Sequence, residues 1–144
     1  TGTNQSDWDS SDIGYYGITS GNDPFNANGN LDLSVLNTSN QDNVNFSNSN
    51  GLGVGTNDKV DGNEYLVFDL HGKTSSADIE LTNFNGNEYV NWFAYNELGE
   101  LVGSGDARGN SNDPLSISAN QTPASGSDFI QYIEEPNEVV SKWN

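Results

Sequence analysis

The chain has 144 residues, of which 21 are acidic and only 4 are Lys or Arg, giving a formal net charge of −17. That balance excludes nucleic acid as a partner, since phosphate binding draws on Lys and Arg, and it disfavours anionic membrane surfaces. With no Cys and no Met, the chain offers no disulfide, thiolate nucleophile or thiolate metal site, and no apolar run reaches the ~18 residues of a membrane span.

This length suffices for one domain with its own core, expected here over residues 1–144. Asn is the commonest residue and Gly contributes 16. Such a composition suits either a disordered chain or one cut by many tight turns. The 3 Trp, 6 Tyr and 6 Phe favour the second, because most lie in patterned segments. Mutual repulsion among the carboxylates opposes folding, and bound cations would relieve it.

Residues 1–12 (TGTNQSDWDSSD) read as a polar leader pinned to the body by Trp8. They show no basic or apolar signal-peptide region, so the chain reads as a segment of a larger multidomain protein. Residues 13–19 (IGYYGIT) form the first expected strand, followed by a loop over 20–30. In residues 31–36 (LDLSVL) apolar and polar alternate, the period of a half-buried strand. A loop over 37–43 and a short edge strand over 44–46 precede the stretch on which the rest turns.

That stretch is residues 51–70, GLGVGTNDKVDGNEYLVFDL. Its first half is glycine with Asp58, Asp61 and Asn63. Its second half is a strand of aromatic and aliphatic residues beside a turn signal. Glu64 stands at the join, three residues after Asp61, where the two carboxylates can converge. Crowded ionised carboxylates repel unless a cation sits among them, and calcium takes six to eight such oxygens.

Further strands are expected over 77–83, 88–96, from 101, over 115–118 and over 129–133. In EYVNWFAYN, Asn91, Phe93 and Tyr95 face one way and Val90, Trp92 and Ala94 the other. Only residues 138–144 (EVVSKWN) suit a turn or two of helix. Eight to ten short strands imply an all-β, antiparallel two-sheet β-sandwich, jelly-roll-like, with long Asn/Asp/Gly-rich loops.

Two more loops carry oxygen ligands. Asp106, Asn110, Asn112 and Asp113 suit a second cation, a wall of the same site or equally a plain solvated loop, and Arg108 among them suits a carboxylate. Asp23, Asn26, Asn28, Asn30 and Asp32 form either a coordination run or an ordinary long turn. His71, the one histidine, reads as a solvated turn residue. No nucleophile elbow, HExxH or phosphate loop occurs, so no catalytic residue is assigned and a non-enzymatic protein is expected. Trp92 or Tyr95, if outward, would stack on a sugar or a peptide side chain.

Together, residues 51–70, the segment NWFAYNELGELVGSG and the late FIQYI resemble a module of very large bacterial surface adhesins of the repeats-in-toxin type, over residues 51–133. The chain is most similar to their calcium-dependent peptide-binding domain. The resemblance implies a β-sandwich whose calcium holds the C-terminal carboxylate of a partner peptide on another cell. It also implies export in unfolded form by a type I system, with folding triggered by extracellular calcium. Asp58–Glu64 matches the acidic turn of that module.

The expected reading is thus a calcium-binding adhesin domain. Its metal ligands come from Asp58, Asp61, Asn63, Glu64, Asp106, Asn110, Asn112 and Asp113. Its ligand contacts come from Trp92, Tyr95, Asp106 and Arg108. A glycan in place of the peptide, or a calcium-stiffened spacer, are the alternatives.

Overall fold

Turn-forming residues divide the chain into short extended pieces, and the computed structural model describes residues 4–47, 51–57, 59–73, 76–79, 89–108, 115–118 and 128–134. Among them are strands β1 (Gly14–Ile18), β2 (Val44–Ser47), β3 (Gly51–Val54), β4 (Tyr65–Lys73) and β5 (Ser76–Ile79). Strands β6 (Tyr89–Tyr95), β7 (Leu101–Arg108), β8 (Leu115–Ser118) and β9 (Asp128–Glu134) follow. Two five-residue helices, α1 (Gln5–Asp9) and α2 (Thr38–Asp42), complete the set. No described helix is long and apolar enough to cross a membrane.

The strands form a five-stranded sheet in the order β1-β4-β9-β6-β7 and two two-stranded sheets, β2-β3 and β5-β8. Every pairing is antiparallel. The architecture is therefore all-β and sandwich-like, as the spacing of apolar runs and turns implies.

The large sheet is covered on both faces, and side-chain alternation decides which residue goes where. Leu66 and Phe68 of β4, with Val90, Trp92 and Ala94 of β6, enter one core. The small sheets close that core with Val44, Leu52, Val54, Ile79 and Ile117. Val67 and Tyr95 enter a second core on the opposite face, beside Ile18 and Leu31. Phe25, Val35 and Leu36 pack against it, so the segment after β1 roofs that face. Burial of each large apolar side chain contributes on the order of 1.5–3 kcal/mol.

Trp8 is pinned as expected, 4 % exposed and stacked on Phe68 with ring centroids 5.2 Å apart. Its surroundings are helical rather than looped. Residues 31–36 differ more: Leu33–Val35 form a single 3₁₀ turn. The Asp32 carboxylate accepts from the Ser34 amide at 3.0 Å and the Ser34 hydroxyl at 2.7 Å, which closes the turn. Asn37 likewise caps α2 by accepting from the Asn40 amide at 2.9 Å, turning an expected loop into a helix.

Two glycine-rich stretches are strands. Residues 51–54 pair with β2, and β7 runs on through Gly103 and Gly105 to Arg108. Gly105 faces Trp92 across the pair, and a Cβ there would stand 2.7 Å from three indole atoms. Glycine is needed because the indole lies on the backbone.

Candidate functional site

Val60, fully buried, anchors the connection between β3 and β4. It leaves the polar residues around it at the surface. After it the chain turns sharply: the Glu64 amide donates to the Asp61 carbonyl at 3.0 Å, and Asn63 takes a φ of 66°. Asn tolerates that left-handed conformation better than most residues. The Glu64 side chain folds back, so that Oε1 accepts from the Asp61 amide at 2.8 Å. Asn57, absent from the sequence-level set, donates through Nδ2 to Asp61 Oδ2 at 3.2 Å. Its signal was its place in the same turn, four residues before Asp61.

One oxygen of each carboxylate is thereby held. Asp61 Oδ1 and Glu64 Oε2 accept from no described residue. Burial pushes the Glu64 carboxyl above its ordinary range; the Asp61 amide pulls it down and the Asp61 charge pushes it up again. Desolvation is the largest of these effects, and both it and the Asp61 charge disfavour the ionised form. Asn63 is exposed beside it, and Asp58 lies outside the described residues. Among the described residues, no three His, Asp or Glu converge as a metal-ligand group. The donors of this turn are hard oxygens, which fit calcium or magnesium and not a soft metal.

The second set divides. Asp106 and Arg108 stand two apart on β7, both exposed. Ala107 between them packs toward the first core, so both lie on the other side of the sheet. Asn110, Asn112 and Asp113 lie outside the described residues.

Register relates the two sets. Tyr65 is level with Glu134 of β9, Glu134 with Asn91 of β6, and Asn91 with Asp106. The acidic turn before Tyr65 and the distal part of β7 therefore share one end of the five-stranded sheet. Three strand spacings separate them, roughly 15 Å. That is too far for one ion or one carboxylate to bridge. Asp106 is therefore a separate wall of this end, out of reach of any ion that Asp61 and Glu64 could share.

Trp92 and Tyr95, expected to offer a ring to a ligand, are interior side chains, 5 % and 1 % exposed. The strand alternates as read from sequence, but both faces of the sheet are roofed. Phe25 supplies the second roof, its ring 5.7 Å from Tyr65, 6.0 Å from Phe93 and 6.5 Å from Tyr95.

The third set is a turn scaffold. Asp23 Oδ1 accepts from the Phe25 amide at 2.8 Å, and Asn26 Oδ1 from the amides of Asn28 and Asn30, each at 3.1 Å. These oxygens satisfy backbone donors of the loop that carries Phe25 onto the sheet.

Fold and turn together define an all-β, sandwich-like protein with paired carboxylates at one end of its main sheet. No protein-family model, curated protein or solved structure matches the chain.

Proposed function

We propose that the chain is a calcium-dependent, non-enzymatic binding module of a secreted bacterial surface adhesin, holding the C-terminal carboxylate of a peptide on another cell. The observation that carries this reading is the Asp61–Glu64 turn. Glu64 is pushed toward protonation by burial and by its neighbour's charge, while one oxygen of each carboxylate accepts from no described residue. Asp61, Asn63, Glu64 and the adjoining Asp58 would hold the ion. Calcium supplies a local positive field that an anionic ligand can approach despite the net charge of −17. Asp106 and Arg108, at the same end of the sheet, would meet a more distant part of the ligand.

The interior position of Trp92 and Tyr95 favours a peptide over a sugar, because the flat aromatic platform that sugars stack on is not supplied by these rings. Thermal melts with millimolar calcium and with chelator test the metal. A higher midpoint in calcium is expected, and equal midpoints would remove the proposal. A library of peptides with free C-termini and a glycan array, both run with calcium and with chelator, test the ligand. Peptide binding abolished by amidating the C-terminus is the expected result. Glycan binding alone would make the module lectin-like, and a calcium gain with neither ligand would make it a spacer.

A further inference from the structure

Four residues along β4 from the acidic turn, Asp69 pairs with Gly14 of β1. A cleft of about 480 Å³ opens beside this pair, next to α1. Asp9, Asp12, Tyr16 and His71 line it, with Trp8 and Tyr15 behind. The volume falls within the range of roughly 300–1,000 Å³ typical of small-ligand sites.

The backbone is bent to present His71. The register of β4 against β9 shifts between Asp69 and Lys73, and His71 has a φ of 53°. Such bulges re-aim a side chain. Asp69 holds the residue from one side: Oδ1 accepts from the His71 amide at 2.9 Å, and Oδ2 faces Nδ1 at 3.7 Å. A neutral imidazole has one acceptor nitrogen, and with Nδ1 turned to Asp69 that nitrogen is Nε2.

Nε2 faces Gly14. A Cβ on that residue would stand 3.1 Å from Nε2 and 3.2 Å from the Tyr16 hydroxyl, so the glycine keeps both polar atoms open to the cleft. Burial, then the charge of Asp69, raises the Tyr16 pKa and keeps the hydroxyl neutral. The wall formed by α1 is fixed by Tyr15, whose hydroxyl donates to Asp9 Oδ1 at 2.6 Å and accepts from Gln5 Nε2 at 3.3 Å.

We propose that this cleft is a second binding site, for an organic cation with N–H donors, an alkylammonium or a guanidinium group. Asp9 and Asp12 in the lining, with Asp69 behind His71, supply negative charge, and His71 Nε2 and the Tyr16 oxygen accept hydrogen bonds. Among the described residues that line the cleft there is no Lys or Arg, which favours a cation over an anion. A bare metal ion lacks three convergent ligands among the described residues. An organic cation needs only acceptors and a negative field. The same group reaches the cleft either on a free amine or on a basic side chain of a partner protein.

His71 is the only histidine, so its imidazole NMR signal reports on the cleft without ambiguity. Agmatine and the amidated tripeptide Gly-Arg-Gly are titrated separately at fixed millimolar calcium and fixed ionic strength. A saturable shift at one ligand per chain is expected, weakened about ten-fold in Asp12→Asn, which removes a charge partner at the rim. Tyr16→Phe weakens it as well. Glu97→Gln, which removes a carboxylate in the β6–β7 turn, leaves it unchanged. Saturation with agmatine alone assigns the site to free amines, and saturation with the tripeptide alone to a protein partner. Non-saturating shifts in both arms, or equal weakening by Asp12→Asn and Glu97→Gln, would reduce the effect to diffuse attraction and overturn the proposal.

Discussion

Single atoms set several limits in this protein. The hydrogen of Gly105 is one: a methyl group in its place meets the Trp92 indole at 2.7 Å. Overpacking of this kind typically costs about 1–3 kcal/mol, so Gly105→Ala should lower the unfolding free energy by that amount, seen as a lower urea midpoint at unchanged slope. The Glu64 carboxyl is another. Because burial raises its pKa, the folded chain without calcium binds this proton more tightly than the unfolded one. The resulting stabilisation is complete below the unfolded pKa and is lost as pH rises through the folded one. Asp32 has the opposite sign. Its pKa is lowered by the Ser34 hydroxyl and amide, so its contribution is present at neutral pH and lost as pH falls through the folded value. Glu64→Gln should therefore raise the chelator-treated melting midpoint at neutral pH and shrink the gain from calcium. Melts of both forms across the carboxylate range, with and without calcium, measure both effects.

At the scale of elements, helix α1 hangs on few contacts. Removing the Tyr15 hydroxyl loses the bond to Asp9 and leaves the ring packed, so Tyr15→Phe should cost about 1 kcal/mol. Hydrogen exchange should quicken in α1 before it quickens in β4. Strands β1, β4, β6 and β9 were legible because their apolar residues run between strong turn signals. The turn over Leu33–Val35 was not. Leu31, Leu33 and Val35 alternate as in a strand, yet a 3₁₀ turn over Leu33–Val35 leaves Leu33 exposed while Leu31 and Val35 join the second core. The Asp32–Ser34 contacts, with Asn37 and Asn40 donating to the Ser34 and Val35 carbonyls, favour the turn over the strand. Strand β3 and the distal part of β7 were hidden by glycines that the sequence presents as turns. The acidic turn was legible because its residues are neighbours in the chain. The fate of Trp92 and Tyr95 was not, since no local pattern shows that the loop bearing Phe25 folds back over the sheet. The His71 cleft was equally hidden, because it joins β1, β4 and α1.

For the molecule as a whole, charge governs behaviour. With 21 acidic against 4 basic residues, self-repulsion opposes folding, and added salt screens it. The chelator-treated midpoint should climb with sodium chloride, and saturating calcium should flatten that slope. Parallel slopes in a salt series with and without calcium would argue against neutralisation by the ion. Topology adds a constraint of a different kind. The last described strand, β9, lies between β4 and β6. Until residues 128–134 have been synthesised, the β1–β4 ribbon and the β6–β7 ribbon have no common neighbour. A nascent chain that stops short of residues 128–134 thus holds two half-sheets that share a core but no hydrogen-bonded strand. Closure of the main sheet therefore waits for residues 128–134, so the chain's widest hydrogen-bonded surface is the last part of the described fold to be completed during synthesis.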